Sequence, residues 1–340
     1  MCSPISQYRK LVATSLSSNF RHATEIVSAA FPDKLKPTEL LVKNYYVGIN
    51  ASDINFTAGR YKPDVQVPFD CGFEALGEII AIGSNIKHFA VGNYVVTQSY
   101  GAFSEFQIVS SRSAKKVPSM KKEFLPLDLS GTTASIALAE VLKPVKGEVA
   151  LVTAASGGTG HFAVQLLKKV YGCSVIGVTS SSLKKSFLND IGCDDVIVEG
   201  SEPIGTALRR LSPTGVNISY ESVGGRTLDA VVNNISLRGR ILSVGSISGY
   251  SDGSSWRYAG VGEVPIHTRL LSKSATLHTF FLPHFIKHTN SHFSNMCQLY
   301  TQGIIKSFVD PKTFKGLESV SDAVDYMYQR KNVGKIVVEI

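Results

Sequence analysis

The stretch Val152–Gly160, VTAASGGTG, decides how this 340-residue chain folds. It ends the apolar run EVALVTAA and opens into glycines directly before HFAVQLLKK, which has the apolar spacing of a helix. A strand, a glycine-rich turn and a helix in this order form the context of a dinucleotide-binding motif, although glycines alone can mark a purely structural turn. Only glycine lets the backbone approach a pyrophosphate closely. We therefore predict that Gly157, Gly158, Thr159 and Gly160 bind the phosphates of a cofactor.

The region around this motif alternates between strand-like runs and helix-length segments. SVIGVTS, DVIV, NISYESVG and GRILSVGS are separated by SLKKSFLNDIG, IGTALRRL and TLDAVVNNI. Regular β-α alternation predicts an α/β fold with a doubly wound parallel sheet, a Rossmann domain, which we assign to residues 130–305. Ligands bind such sheets at the carboxyl ends of the strands.

Residues 1–129 have a different pattern. Between Leu40 and Pro118 the chain consists of short β-like runs broken by glycine, among them LLVKNYYVGI, GEIIAIG, FAVGNYVV and GAFSEFQIV. This spacing leaves no room for crossover helices, so it predicts an antiparallel, barrel-like domain. The final GKIVVEI looks like a strand that returns to this domain, and we therefore assign residues 306–340 to it.

Composition and charge exclude several classes of protein. Apolar residues make up 44% and charged residues 18%, which is typical of a soluble globular chain. No apolar run reaches the length of about 18 to 20 residues that crosses a bilayer. The five cysteines are scattered, which favours free thiols in a reducing compartment such as the cytoplasm, with a peroxisome or mitochondrion left open. The net charge of +8 is spread along the chain, so dedicated nucleic-acid binding is not expected.

The end of the second Rossmann strand indicates which cofactor is bound. An Asp or Glu there would bind the adenosine ribose of NAD, but the chain reads GVTSSSLKK, with Ser180 and Lys184 and no carboxylate. Hydroxyl and ammonium groups suit a 2′-phosphate, so NADPH is favoured. The alternative is that the serines cap the next helix and the lysines are solvated.

The motifs together resemble the quinone-oxidoreductase and zeta-crystallin group of the medium-chain dehydrogenase/reductase superfamily, and within it the prostaglandin reductases. The resemblance covers nearly the whole chain and is carried by VGINASDINFTAGRY, PFDCGFEALGEIIAIG, SGTTASIAL, the glycine turn, YESVGG, GSISGY and NVGKIVVE. It implies that the first domain is GroES-like. It also implies a homodimer that pairs through an edge strand of the nucleotide domain, for which ATLHTFF is a suitable apolar segment.

The same resemblance raises the question of zinc. Zinc-dependent alcohol dehydrogenases have a Cys where this chain has Asn50 and a His where it has Phe73, and neither replacement is a normal zinc ligand. His284, His288 and His292 share helical i, i+4 spacing, but the sequence near them contains no carboxylate or cysteine. We therefore predict no metal site.

The resemblance implies a reductase that works without a metal. Hydride delivered from NADPH to the β-carbon of an α,β-unsaturated ketone leaves an enolate, which hydrogen-bond donors stabilise. The implied substrates are 15-keto-prostaglandins, reduced at the 13,14 double bond. Tyr250 and Asn50 are the implied catalytic residues, and Tyr61 is a further candidate for contact with the substrate oxygen. Arg60 or Arg257 would meet a lipid carboxylate.

Further cofactor contacts are implied at Thr132, Thr133, Ser222, Ile247, Phe280, Phe281, Leu282, Asn332 and Lys335. Each of them also has a structural interpretation, and HTFFL by itself is typical of a core segment. One departure from the family pattern is Glu199 in VIVEG, which would stand near the 2′-phosphate and repel it unless Lys184 intervenes.

Two other functions stay open at the level of sequence. The first is an NADPH-dependent quinone oxidoreductase. The second is a nucleotide-binding or RNA-binding protein without important turnover, as zeta-crystallin relatives suggest.

Overall fold

The computed structural model describes residues 6–62, 64–256 and 264–340. The chain separates into two compact units, the first made of residues 1–129 and 309–340 and the second of residues 130–308. The sequence-based division placed the return to the first unit at residue 306. Lys306 belongs to the second unit because its backbone N–H and C=O both bond the side chain of Gln165, and the N–H of Phe308 bonds His161.

The strands run β1 Gln7–Ala13, β2 Thr24–Ala30, β3 Glu39–Gly48, β4 Phe69–Asp70, β5 Glu74–Ile82, β6 Tyr94–Gln98, β7 Phe106–Ser110, β8 Ala114–Val117, β9 Val149–Val152, β10 Ser174–Thr179, β11 Asp195–Val198, β12 Val216–Glu221, β13 Ile235–Ser243, β14 Thr276–Thr279, β15 Phe314–Lys315 and β16 Val337–Glu339. The α-helices are α1 Phe20–Ala23, α2 Asp53–Thr57, α3 Phe124–Pro126, α4 Thr132–Ile136, α5 Gly160–Gln165, α6 Lys185–Ile191, α7 Ile204–Leu211, α8 Gly225–Asn233, α9 Ile266–Leu271, α10 Thr289–Thr301 and α11 Val320–Tyr328. Helices α4 and α5 continue as π-helical segments over Ala137–Leu142 and Leu166–Val170.

Within its described residues, the second unit contains a parallel sheet in the order β11-β10-β9-β12-β13-β14. The chain order reverses between β9 and β12, and this arrangement confirms the doubly wound sheet that the β-α alternation predicts. Leu151, Ile176 and Ile241 are almost completely buried in its core, as expected for strands covered by helices on both faces.

The first unit is built on a mainly antiparallel sheet in the order β15-β16-β3-β5-β6-β8, and β7 also pairs with β3. The C-terminal strand β16 pairs antiparallel with β3, with Val338 opposite Val47. The sequence interpretation missed the hairpin of β1 and β2, which pair over their full length before Leu40. No helix among the described residues has the length and apolar character needed to span a membrane.

Candidate active site

The ends of three strands in the first unit bring a charged cluster together. Asn50 follows β3, Glu74 begins β5 and Lys335 precedes β16, and the two latter strands flank β3. The ammonium of Lys335 donates to Oδ1 of Asn50 at 2.6 Å and forms an ion pair with Oε1 of Glu74. The amide of Asn50 donates to the same Glu74 oxygen at 2.9 Å. Only a glycine fits at position 48, since a Cβ there would overlap the Glu74 carboxylate.

This cluster is buried. The Glu74 side chain is 0% exposed and that of Lys335 is 3% exposed, so the two charges neutralise each other away from solvent. Oε2 of Glu74 is buried and has no hydrogen-bond partner among the described residues. The site therefore holds one unsatisfied acceptor beside an ammonium group and an amide.

Asp53 stands next to this cluster at the start of α2. Its Oδ2 accepts from the backbone N–H of Asn50 at 2.8 Å and so positions the residue that the sequence analysis singled out. Complete burial raises the pKa of Asp53 to about 7, although the Asn50 bond and the Lys335 charge act in the opposite direction. The sequence analysis missed both Asp53 and Glu74, whose only signal was their position inside the quoted motifs.

Aromatic side chains cluster after β3, directly before β5 and after β6. Phe56 packs edge-on against Tyr61 at 5.1 Å and against Tyr100 at 4.8 Å, and it stacks on Phe73 at 6.1 Å. The hydroxyl of Tyr61 accepts from Nδ2 of Asn55 at 3.0 Å. Phe73, which the sequence analysis excluded as a zinc ligand, is therefore part of an aromatic cluster.

Arg60 donates to Oδ1 of Asn55 at 3.0 Å. Arg257 lies outside the described residues. Asn332 bonds locally, from Nδ2 to the carbonyl of Gly334.

In the second unit, the glycine turn follows β9 and leads into α5, as the sequence predicts. Gly160 is the first residue of α5, and a Cβ there would overlap the carbonyl oxygen of Ala154. A Cβ on Gly157 would lie 3.1 Å from the same oxygen. Ala154 itself has a φ of 45°, which tightens the turn. The absence of a Cβ at Gly160 lets α5 pack closely on the turn, which is the role of the last glycine in a dinucleotide-binding turn.

Two interpretations were given for the serines and lysines after β10, namely 2′-phosphate binding and helix capping, and the structure has features of each. Oγ of Ser181 accepts from the N–H of Leu183 and thus caps the short helix that follows, as the alternative proposed. Lys184, however, is buried rather than solvated, with 6% exposure, whereas Lys185 is exposed. Ser180 is half-buried at the strand end. The carboxylate of Glu199 accepts from Oγ1 of Thr227 at 3.4 Å.

A buried carboxylate organises the loop after β12. Oε1 of Glu221 accepts from the N–H groups of Val223 and Gly224 and from the hydroxyl of Thr153. Burial raises the pKa of Glu221, and these hydrogen bonds act against that rise. The hydroxyl of Thr153 in turn accepts from the N–H of Ser222, whose own Oγ is buried without a partner among the described residues. An orphaned hydroxyl at a strand end is the kind of group that a bound cofactor satisfies.

The structure gives the other predicted residues defined surroundings. The Tyr250 hydroxyl accepts from the N–H of Ser246 at 3.0 Å, and its ring is buried beside Trp256. Ile247 is half-buried in the same loop. Phe280 is buried and stacks on Phe285 at 4.8 Å, whereas Phe281 is 43% exposed.

Two predicted residues lie on α4, where Thr132 is fully buried and Thr133 half-buried. Leu282 is half-buried at the start of a 3-10 helix over residues 282–288.

Comparison with known proteins decides the family. The alcohol dehydrogenase GroES-like domain matches residues 36–133, and the zinc-binding dehydrogenase family matches residues 158–299. A probable quinone oxidoreductase of Leishmania amazonensis is 45% identical over 340 residues, which is the full length of both chains. The chain belongs to the quinone oxidoreductase-like medium-chain dehydrogenases/reductases. Prostaglandin reductase-3 of Bos taurus, in the same superfamily, is 45% identical over 98% of this chain and 90% of its own length.

Solved structures of this superfamily agree with the fold. A mycobacterial protein in complex with NADPH has a TM-score of 0.83 at 26% identity and covers 98% of this chain and 100% of its own. The Escherichia coli quinone oxidoreductase in complex with NADPH has a TM-score of 0.84 at 23% identity, with the same coverage. These likenesses confirm the α/β class, with a GroES-like unit and a Rossmann unit.

The zinc in the family's description does not fit the corresponding residues of this chain. Asn50 is engaged by Glu74 and Lys335, and Phe73 belongs to the aromatic cluster. The buried ammonium of Lys335 already neutralises the Glu74 carboxylate that a cation would otherwise meet.

Proposed function

We propose that this protein is an NADPH-dependent reductase that adds hydride to the β-carbon of α,β-unsaturated ketones, with 15-keto-prostaglandins as substrates. The observation that carries the proposal is the glycine turn, with Gly160 packed against Ala154 and the orphaned hydroxyl of Ser222 at a neighbouring strand end. The relative named prostaglandin reductase-3, at 45% identity, supports the substrate class.

The chain's own residues account for the binding of the cofactor, which supplies hydride when bound. The turn Gly157–Gly160 and the first N–H groups of α5 hold the pyrophosphate. Ser180 and Lys184 bind the 2′-phosphate. The hydroxyl of Thr227 donates a hydrogen bond to the Glu199 carboxylate and so fixes its position. The remaining proposed contacts with the cofactor are Thr132, Thr133, Ile247, Phe280–Leu282, Asn332 and Lys335.

Hydrogen-bond donors stabilise the enolate that forms on hydride addition. We assign Tyr250 and Asn50 to this task and Tyr61 to the substrate oxygen. Tyr61 accepts a hydrogen bond from Asn55, which polarises its O–H and makes it a better donor. Lys335 and Glu74 hold the Asn50 amide in one orientation. The proposal requires no zinc, because the ketone already activates the β-carbon.

A quinone is the second candidate acceptor. The full-length relative in Leishmania amazonensis is named a probable quinone oxidoreductase, and the side chains of Phe56, Phe73 and Tyr100 form an aromatic cluster against which a quinone ring can pack offset-stacked or edge-on.

The test is the initial rate of NADPH oxidation with 15-keto-prostaglandin E2, a simple quinone and no acceptor, with NADH as the matched coenzyme. We expect turnover of the enone with NADPH and a lower kcat/KM with NADH. Tyr250→Phe removes only a hydroxyl and should lower kcat about 10²- to 10³-fold. Tight NADPH binding without turnover of either acceptor would overturn the reductase and favour the binding protein.

We also propose a homodimer and a cytoplasmic location. Strand β14 is the edge of the parallel sheet, and Leu270, Leu271 and Leu277 line an apolar cleft beside it. Leu271 is 76% exposed. The described cysteines are all free thiols, as in a reducing compartment.

A further inference from the structure

Three potential metal ligands converge in the second unit, outside the site described above. Nδ1 of His288 lies 3.6 Å from Oε1 of Glu140, and Nε2 of His292 lies 3.7 Å from the same oxygen. All three ligand atoms lie within 4.8 Å of one another. The sequence analysis found no carboxylate for these histidines because Glu140 is remote from them in the chain.

The fold explains the convergence. His288 ends the 3-10 helix and His292 lies one turn further on in α10, so their side chains share a helix face. Glu140 lies in the π-helical segment that continues α4, and α4 packs against α10. Oγ of Ser135 lies 2.8 Å from Nδ1 of His292. This bond holds the ring through one nitrogen while the other nitrogen faces Glu140, the arrangement that is common around metal-bound histidines.

The spacing of the three groups is long for direct hydrogen bonds and matches that of ligands sharing one cation. Hydrogen bonds between nitrogen and oxygen span about 2.7–3.2 Å, so 3.6 and 3.7 Å are too long for one. Two ligands that share one tetrahedral ion with bonds of about 2.1 Å stand about 3.4 Å apart. The side chains of Glu140 and His292 are 38% and 15% exposed, so an ion can reach the cluster from solvent.

We propose that Glu140, His288 and His292 bind a late first-row divalent cation, best matched by Zn²⁺, with water completing the coordination. Two imidazoles and one carboxylate are a ligand set that zinc accepts. The site is separate from the positions of Asn50 and Phe73, and it does not depend on the reductase activity. A bound ion would join α10 to the segment after α4 and would stabilise the second unit.

The test uses the full-length protein, stripped with a chelator, dialysed and titrated with Zn²⁺ by calorimetry. A parallel titration with Co²⁺ is followed by visible absorption, which reports tetrahedral coordination. We expect one equivalent of Zn²⁺ to bind and to raise Tm. Glu140→Gln, His288→Ala and His292→Ala should each weaken binding at least tenfold, and Ser135→Ala about tenfold, as for other residues that orient a metal ligand.

His284→Ala is the matched control, because His284 is exposed and outside the cluster. It should bind Zn²⁺ like the wild type. Glu140→Gln preserves shape, and an unchanged melting curve without metal verifies that it folds. The proposal is overturned if the wild type binds no Zn²⁺, or if His288→Ala and His292→Ala bind it undiminished.

Discussion

At the scale of single residues, the buried ion pair of Lys335 and Glu74 has a direct energetic consequence. Both side chains are almost completely buried, and the Asn50 amide shares the same carboxylate oxygen. Removing one partner of a buried ion pair strongly destabilises the fold, because the remaining charge keeps its desolvation cost without compensation. The pair therefore links the stability of the first unit to the orientation of Asn50.

We predict that Lys335→Met lowers the free energy of unfolding by about 3–5 kcal/mol, because it leaves the Glu74 carboxylate buried and uncompensated. The double variant Lys335→Met/Glu74→Gln should lose less, since both charges are removed together. Urea denaturation of the two variants and the wild type measures the difference. Equal losses in the single and double variants would contradict an ion pair here.

Asp53 predicts a pH dependence of stability. Its folded pKa is raised to about 7, so the folded state keeps a proton that the unfolded chain loses near pH 4. This contribution to stability is complete below pH 4 and is lost as the pH rises to 7. The free energy of unfolding of Asp53→Asn, relative to that of the wild type, should therefore increase with rising pH, by at most about 4 kcal/mol at pH 8. Urea midpoints of both proteins between pH 4 and 8 test this, and a constant difference would refute it.

At the scale of elements, the turn from β9 to α5 depends on the absence of a side chain at its last glycine. Gly160 is buried, and a Cβ at this position would overlap the carbonyl oxygen of Ala154. A methyl group there must displace either the turn or the helix start. Because both carry the N–H groups that the proposed phosphate site uses, packing and binding are set by the same atoms.

We predict that Gly160→Ala destabilises the protein by about 1–3 kcal/mol and weakens NADPH binding at least tenfold. Gly205→Ala is the matched control, since Gly205 lies within α7 and a Cβ there would contact only the ends of two flexible side chains. This control should bind NADPH normally. Fluorescence titration with NADPH and thermal melting give both quantities, and unchanged NADPH binding by Gly160→Ala would contradict a phosphate site at this turn.

At the scale of the whole molecule, the exposed edge of the parallel sheet bears on whether the protein associates with a second copy. Among the described residues, strand β14 pairs with β13 alone, and the cleft beside it is apolar and exposed. Leucines exposed at a sheet edge favour association with another copy. This edge therefore supports the proposed homodimer.

We predict that Leu271→Asp converts the dimer to a monomer, because a carboxylate in the apolar contact would have to be desolvated. Val170→Asp is the control, since Val170 is also exposed but lies in the segment before β10, which β9, β12 and β13 separate from β14. Light scattering after size-exclusion chromatography gives the masses. A wild-type monomer, or a Leu271→Asp dimer at low concentration, would contradict this interface.

The sequence by itself determined the fold class, because β-α alternation and the glycine turn depend on local spacing that folding does not alter. It also indicated Asn50, Tyr250 and Lys184, through motifs whose residues are adjacent in the chain. Their roles as ligands of cofactor and substrate stay predictions.

Only the tertiary structure brought Glu74 and Lys335 to Asn50, because strand order, not chain order, makes them neighbours. In the same way, Glu140 meets His288 and His292 only when α4 and α10 pack. Burial and pairing, which shift the pKa of Asp53 and compensate the charge of Lys335, depend on contacts between distant segments. A single sequence carries the residues for these clusters, but their distances arise only from the packing of the folded chain.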